Sequence, residues 1–288
     1  MAADMMLQMR RQIPQMTNAQ RKVADYILGN PMDAAFSTIN QIANTTGVST
    51  TSVIRLANAL GYDAFSDFQK ALKGYLQAYA APVKKFSLNT RDAAPVQDEQ
   101  GVVSDTYQKE IENLNAAVTG LEEEAVNAVV QRLTAARNIY VCGVRTSESI
   151  ARYLVYNFNR MFLNATYVDD SPMVMMDFLK HVTGEDVLIA ITMSRYNKNV
   201  CELARICHEK GIPVIAMTDS YDSPLAAWSS HPLIGKCSSN AFHNSIVAQI
   251  FLCDVLIGAC SQADRLRVRA NLEKDEAIVA QMQHFVHK

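Results

Sequence analysis

The sequence has no apolar run long enough to cross a membrane and no recognisable secretory leader. A spanning helix needs about 18 consecutive apolar residues, and no run of that length occurs although 49% of the residues are hydrophobic. The first ten residues also lack the basic flank and the small-residue cleavage site of a signal peptide. We therefore expect a cytoplasmic protein with no membrane partner.

The sequence also lacks the cysteine and histidine spacings of metal sites. It contains six cysteines but no CxxC pair, and most of the cysteines lie inside apolar runs. Four histidines of the C-terminal half also show no ligand spacing; they are His181, His208, His231 and His243. This pattern predicts buried free thiols in a reducing compartment, with no metal and no cofactor.

The length and the charge distribution indicate two different parts of the chain. A chain of 288 residues is too long for one ordinary core and suits two domains. Residues 1–80 contain seven Lys or Arg, five Asp and no Glu, which gives this segment a charge of +2. Because the whole chain has a net charge of −2, the remainder carries −4. This asymmetry is mild and does not alone indicate nucleic-acid binding.

Residues 1–80 show the pattern of short helices without a convincing strand. Thr17–Gln20 and Thr38–Gln41 are capping boxes, each of which begins a helix. Gly47 breaks the second of these helices, and Ser49 caps a third. Helix, glycine-containing turn and helix within residues 38–60 predict a helix-turn-helix unit, in an all-α DNA-binding domain over residues 1–80.

The outer face of the third helix carries the side chains that we predict to contact DNA. The helix buries an apolar stripe that consists of Val53, Leu56, Ala57 and Leu60. The predicted DNA-binding residues are Ser49, Thr50, Thr51, Arg55 and Asn58. Arg suits guanine and Asn suits adenine, whereas the small hydroxyls suit phosphates. The alternative is an ordinary three-helix module with a solvated polar face, but this face is almost free of Asp and Glu.

After a predicted linker over residues 81–105, the periodicity changes to alternating strands and helices. Two helices are predicted first, over 106–119 and 122–135, followed by strands at 138–142, 165–168, 186–192, 213–218 and 231–234. A long apolar helix is predicted over 242–260. Apolar strands separated by amphipathic helices predict an α/β domain over residues 106–288, with a parallel sheet covered on both faces.

Two loops that follow strands carry hydroxyl groups suited to an anion. The loop Gly143-Val-Arg-Thr-Ser147 precedes a helix, and Thr192-Met-Ser-Arg-Tyr-Asn-Lys198 follows another strand. Ligands in parallel sheets bind at the carboxyl ends of the strands, where helix N-termini favour phosphate. Helix capping alone would also explain Thr146 and Ser147. With the second loop at the same edge, a shared phosphate site is the favoured interpretation.

The N-terminal segments resemble those of the RpiR-type bacterial regulators. The similarity is ordered, nearly ungapped and spread over about sixty residues; it lies in 16–31, 39–43, 47–49, 53–55 and 60–68. The resemblance implies that the Ser49–Leu60 helix lies in the major groove of double-stranded operator DNA. It also implies a homodimer or homotetramer that reads a pseudo-palindromic operator.

The segments from about Leu121 to Cys260 resemble a SIS (sugar isomerase) domain, which implies a phosphorylated sugar ligand. The first loop of that family reads G-x-G-x-S, and Arg145 replaces its second glycine here. The second loop reads S-x-S-G-x-T, and this chain has Arg195 at the glycine position. The resemblance carries phosphate contacts over to Ser147, Ser194, Thr192 and Asn197. We expect both arginines to face the site and to bind a carboxylate or phosphate; solvent or a subunit interface is the alternative.

These observations predict a transcription regulator whose operator affinity is controlled by a sugar phosphate or a sugar acid. His243, expected at the start of the last long helix, is a further candidate ligand contact, although a capping role explains it equally well. The alternative function is a sugar-phosphate isomerase with an accessory domain, which needs a positioned base. The candidates for that base are His181, Glu185, Glu202 and His243, none of which forms an evident acid–base pair.

Overall fold

The computed structural model describes residues 5–79, 82–83, 85–86 and 99–282. The chain forms two compact units, Met1–Ala93 and Ala94–Lys288, and each is described by itself. The predicted domain limits of 80 and 106 stay predictions, because most of residues 80–98 lies outside the described part. Residues 99–105 were predicted as linker and are helical instead.

The described part of the N-terminal unit consists of helices. They are α1 (Met5–Gln12), α2 (Asn18–Gly29), α3 (Pro31–Phe36), α4 (Ile39–Thr46), α5 (Thr50–Ala59) and α6 (Phe65–Tyr79). One apolar cluster joins all six, with Val53, Leu56 and Ala57 of α5 contributing to its centre. The predicted inner stripe of the third helix is therefore confirmed.

Local capping signals define the helix ends of this unit as the sequence predicts. Thr17 with Gln20 and Thr38 with Gln41 form complete capping boxes, in which side chain and backbone bond reciprocally. Gly47 ends α4 at a φ of 64°, a conformation that glycine adopts without strain. Ser49 then caps α5 by accepting a hydrogen bond from the Ser52 N–H.

The C-terminal unit alternates strands and helices after two initial helices. The strands are β1 (Ile139–Gly143), β2 (Ala165–Val168), β3 (Val187–Ile191), β4 (Val214–Thr218) and β5 (Leu233–Ile234). The helices are α7 (Glu99–Gly120), α8 (Glu123–Ala135), α9 (Thr146–Phe162), α10 (Pro172–His181), α11 (Lys198–Glu209), α12 (Val247–Ala263) and α13 (Arg265–Met282). Each strand predicted from the sequence is present, with ends shifted by two residues at most.

The five strands form one parallel sheet in the order β2-β1-β3-β4-β5. Strand residues alternate between two apolar clusters: Val141 and Ile189 join the one that contains α8, α9 and α12, whereas Leu188 and Ala190 join the one with α10 and α11. The helices after β1 and β3 thus cover opposite faces. Because the chain leaves these neighbouring strands in opposite directions, a crevice opens between their carboxyl ends.

Two helices begin several residues away from the predicted start. Helix α7 begins at Glu99, seven residues before the expected start, through a stretch whose exposed Val102 and Val103 show no amphipathic period. Helix α12 begins at Val247 rather than 242. The preceding residues bond elsewhere, since the Ser245 N–H donates to the Cys237 carbonyl (3.1 Å) and that of Ser238 to Asn113 (3.2 Å). The Ser245 N–H is therefore not available for a helical hydrogen bond.

The cysteines are free thiols, as predicted. Five are buried and Cys201 is half-buried. Burial raises the pKa of Cys142 and Cys207 to about 12 in each case, so both stay protonated at neutral pH. In the described part of the chain, no group of three or more His, Cys, Asp or Glu side chains could hold a metal ion.

No single described helix has both the length and the apolar character of a membrane span. Helices α12 and α13 meet that test only when they are taken together, and they are bent by 105° at their junction.

Candidate functional site

The helix-turn-helix part of the N-terminal unit presents the predicted DNA-contacting residues at the surface. Thr51, Arg55 and Asn58 are exposed on one side of α5, and Ser49 is exposed at its start, whereas Thr50 is half-buried. Gln20 of α2 donates from Nε2 to the Arg55 carbonyl (3.2 Å), which connects the middle of α5 to its supporting helix. The predicted face is therefore available to DNA; its contacts with DNA stay predictions.

The exposed face of α5 also includes an apolar side chain that the sequence-based assignment omits. Ile54 is 40% exposed, whereas Val53 and Leu56 of the same helix are buried. It lies three residues after Thr51 and four before Asn58, so all three share one side of the helix. The broken 3.6-residue period at this position was the available signal.

In the C-terminal unit, sheet register brings the two predicted anion loops together. Gly143, the last residue of β1, pairs with Ile191, the last residue of β3. The loops 144–147 and 192–197 therefore leave adjacent strands at the same edge. The end of β4 is the next neighbour, with Ile191 paired to Met217. We call this border of the sheet the carboxyl edge.

Gly143 is required by close packing rather than by an unusual backbone conformation. Its φ is not positive, so it does not supply the unusual backbone of the turn. A Cβ at this position would instead lie 2.8 Å from the Ser147 carbonyl oxygen, closer than any side chain tolerates. Glycine is therefore needed because the first turn of α9 sits directly against the end of β1.

The residues with positive φ in these two loops are the arginines Arg145 and Arg195. Arg145 has φ 55° and ψ −125°, and Arg195 has φ 69°. Both are left-handed backbone conformations that normally require glycine. Arg145 precedes α9 at its N-cap position without a side-chain cap, so capping does not explain this loop. Both arginines are exposed, and neither guanidinium makes a hydrogen bond or ion pair with any residue that the structure describes.

The hydroxyl residues of the two loops differ in their availability. Ser147 is buried, with 5% of its surface exposed, and Thr146 is exposed at the start of α9. The Thr192 hydroxyl accepts a hydrogen bond from the Asn197 N–H (3.0 Å). Asn197 caps α11 through Val200 (2.9 Å), and its amide donates to Asp170 (3.2 Å). Thr192 and Asn197 therefore shape the second loop.

Asp219 is a buried carboxylate at the carboxyl edge that the sequence-based site omits. It follows β4 and accepts hydrogen bonds from both the backbone N–H (3.2 Å) and the hydroxyl of Ser194. The Thr218 hydroxyl donates to its other oxygen (3.4 Å) and the Cys237 thiol lies 3.5 Å away. The position of Asp219 directly after a buried strand, beside the two loops, was the signal that could have identified it.

Tyr167 of β2 fixes the first loop from the other side. Its hydroxyl donates to the Gly143 carbonyl (2.9 Å), and the Arg152 guanidinium lies 4.4 Å from the centre of its ring. Burial raises the pKa of Tyr167 to about 12. The phenol therefore stays a neutral donor at all physiological pH values.

His243 does not lie where the sequence-based prediction put it. Because α12 begins at Val247, His243 is an exposed loop residue rather than the first residue of the helix. Its ring contacts that of Phe242, with 5.7 Å between the centroids. The next residue, Asn244, donates from Nδ2 to the Ser194 carbonyl (3.3 Å) and so brings this loop to the carboxyl edge.

Comparison with known proteins matches both units. The family model "helix-turn-helix domain, rpiR family" matches residues 3–79, and that of the SIS domain matches residues 132–259. The HTH-type transcriptional regulator HexR of Escherichia coli is 29% identical over 223 residues, covering 77% of this chain and 74% of that protein. The HTH-type transcriptional regulator YbbH of Bacillus subtilis is 25% identical over 269 residues, covering 92% and 93%.

A solved structure supports the architecture over nearly the whole chain. The Vibrio vulnificus NanR protein complexed with ManNAc-6P aligns with a TM-score of 0.60 at 23% identity, covering 97% of this chain and 99% of that one. This chain and NanR therefore share the same order of a helical N-terminal region followed by a parallel SIS sheet.

Proposed function

Starting from the membership of this chain in the RpiR family of helix-turn-helix transcription regulators with a SIS domain, we propose that a phosphorylated sugar or sugar acid controls its affinity for operator DNA. The outer face of α5 binds the DNA, and the carboxyl edge of the C-terminal unit binds the ligand. One observation carries the ligand class: two arginines hold glycine-type backbone conformations beside hydroxyl-bearing loops, without a described protein partner.

The DNA-binding role of α5 is supported by exposure and charge. Arg55 and Asn58 are long polar side chains on an exposed face, and a helix of this kind fits the major groove. Thr51 and Ser49, near the helix N-terminus, suit backbone phosphates. Replacing Arg55 and Asn58 together with alanine is expected to abolish specific binding, because each good base contact contributes about 1–3 kcal/mol.

The DNA test uses a selected duplex and gel-shift or anisotropy titrations at fixed, moderate salt. The variant Gln69→Ala serves as the control, because Gln69 lies on α6 and bonds to the Ser37 carbonyl (2.8 Å), away from α5. Circular dichroism checks that the double variant is folded. Retained specific binding by the folded Arg55→Ala/Asn58→Ala protein would contradict the assignment.

The anionic character of the ligand is supported by the arginine positions. A left-handed conformation costs a non-glycine residue about 1–3 kcal/mol, and Arg145 and Arg195 both hold one beside the carboxyl edge. Arg145 and Arg195 supply bidentate donors for a carboxylate or phosphate. Ser147, Thr146 and the N-terminus of α9 supply further donors, whereas Ser194 reaches the ligand only if its hydroxyl leaves Asp219.

The ligand test compares four phosphate-containing probes, one of which also carries a carboxylate. Calorimetric titration of the full chain with inorganic phosphate, ManNAc-6P, glucose 6-phosphate and 6-phosphogluconate measures what the sugar and the carboxylate add to phosphate binding. We expect the sugar phosphates to bind more tightly than phosphate, and Arg145→Ala and Arg195→Ala to weaken them at least tenfold. Unchanged affinities in both variants would contradict the assignment of these arginines to the site.

The chain is proposed to act without catalysing a reaction on its ligand. Of the possible bases, His181 ends α10 and Glu185 precedes β3, so both lie at the opposite edge of the sheet. Glu202 is paired with Arg205 on α11 (2.6 Å). Absence of isomerisation of the same sugar phosphates is the expected result, and turnover by the purified protein would favour the isomerase. We further propose a homodimer or homotetramer, which sedimentation with and without DNA tests.

A further inference from the structure

We infer that Glu110 and Asn113 transmit ligand binding from the carboxyl edge to α7, the helix on which both residues lie. This inference rests on the proposed function and names its regulatory connection. The residues concerned hold the loop 238–245, which lies between β5 and α12. Nothing in the sequence pattern predicts a contact between α7 and this loop.

The side chain of Asn113 binds the backbone at the start of the loop. Its Nδ2 donates to the Ser238 carbonyl (2.8 Å), and its Oδ1 accepts from the Ser238 N–H (3.2 Å). This pairing resembles one step of a β-ladder, with the amide replacing a peptide unit. Asn113 is 2% exposed, so water cannot replace these bonds at low cost.

Glu110 binds the end of the loop through a side chain. Its Oε2 accepts from the Ser245 hydroxyl (2.7 Å) and from Nδ2 of Asn113 (3.1 Å), so one carboxylate oxygen joins both anchor points. Ser245 is 3% exposed, and its hydroxyl also accepts from the N–H of Val247 (3.2 Å). Val247 is the first residue of α12. Hydrogen bonds to a carboxylate are stronger than neutral ones.

The same loop contacts the ligand-binding edge between these two anchors. Asn244, directly before Ser245, donates to the carbonyl of Ser194 (3.3 Å), whose own N–H and hydroxyl bind Asp219. A ligand that withdraws the Ser194 hydroxyl from Asp219 changes the position of the loop 192–197. Because the Ser194 carbonyl accepts from Asn244, the displacement reaches Asn244, then Ser245, and finally Glu110.

Helix α7 is the first element of the C-terminal unit after the segment that follows the DNA-binding unit in sequence. Residues 238–245 therefore connect the ligand site to the helix closest in sequence to that unit. Coupling between the two sites is measured as the change in DNA affinity that the ligand causes.

The test measures that coupling in the full chain with the four probes named above. For each protein, the affinity for operator DNA is determined with and without the tightest-binding probe. Asn113→Ala and Glu110→Ala are expected to reduce the ratio of the two DNA affinities toward one, while probe affinity and probe-free DNA affinity stay within about threefold of wild type. Such a selective loss does not result from simple destabilisation.

Two control variants make the result specific. Glu110→Gln keeps an oxygen acceptor for Ser245 and is expected to retain most of the response. Glu112→Ala removes the same charge from an exposed position of α7 that pairs with Lys109, and it should respond as wild type. If wild type responds and Asn113→Ala and Glu110→Ala respond equally, the inference fails alone; if wild-type DNA affinity ignores every probe, the proposed function fails with it.

Discussion

Arg145 provides a test in which stability and ligand binding change in opposite directions. With φ 55° and ψ −125° the residue lies in a region that is accessible essentially to glycine alone. Replacing Arg145 with glycine removes the strain, which is about 1–3 kcal/mol. The added freedom of glycine in the unfolded chain costs about 0.4–1 kcal/mol. The balance predicts a gain of about 0.5–2 kcal/mol in the free energy of unfolding.

The gain is measurable as a shift of the thermal transition. For a unit of this size, 1 kcal/mol corresponds to about 2–4 °C in Tm, so we expect Arg145→Gly to unfold about 1–8 °C higher in scanning calorimetry. The same variant should bind the anionic probes at least tenfold more weakly, because the guanidinium is gone. Stability and affinity thus separate at one residue.

Arg145→Ala is the matched control. Alanine also removes the guanidinium but retains the Cβ that causes the steric conflict, so it should lose probe affinity without gaining stability. If Arg145→Gly is no more stable than Arg145→Ala, the argument from backbone strain is wrong. If both variants keep wild-type probe affinity, Arg145 is not a ligand contact.

Two further predictions concern an apolar contact with DNA and an acid-sensitive ion pair. Ile54 is expected to contact a thymine methyl group of the operator. Replacing that thymine by deoxyuracil should weaken wild-type binding roughly fourfold, as for the loss of one buried methylene. Ile54→Ala should be insensitive to the replacement, and equal sensitivity of both proteins would refute the contact. Burial alone would raise the pKa of Asp186, but hydrogen bonds from Arg137, Thr183 and Asn138 outweigh it and lower that pKa. The resulting stability is present above the unfolded-state pKa of about 3.9 and is lost as pH falls below it. The free energy of unfolding of Asp186→Asn, measured in urea, should therefore depend less on pH below about 4 than that of wild type. Parallel pH profiles of the two proteins would contradict this prediction.

Features set by neighbouring residues could be predicted from the sequence. The capping boxes at Thr17 and Thr38 and the turn at Gly47 depend on side chains within four positions, and the structure contains each of them. The strands were also predictable, because five apolar runs between amphipathic helices have few other solutions. Adjacency of the loops after β1 and β3 followed from the fold class and the resemblance.

Features that depend on distant pairings could not be predicted. Ser194 and Asp219 are 25 residues apart, and their contact requires the β3–β4 register. Asn113 and Ser238 are 125 residues apart. The left-handed backbone of Arg145 was indicated only by the glycine that the SIS family places at this position. Sequence composition specifies residue types at the site, whereas their hydrogen-bond partners depend on tertiary structure.

The contacts of α7 with the loop 238–245 make that helix a lever. They extend from the Asp105 carbonyl, which accepts from Asn240 (3.0 Å), to Asn113, a span of about 12 Å at 1.5 Å per residue. Contacts so far apart fix the direction of the helix axis as well as its position. From Asn113 to Glu99 the arm measures about 21 Å, so a tilt of about 5° moves its end by about 2 Å. A proline in place of the exposed Val103 would break this arm and should abolish the DNA response, whereas Val103→Ala should preserve it; a persistent response in the proline variant would exclude the lever.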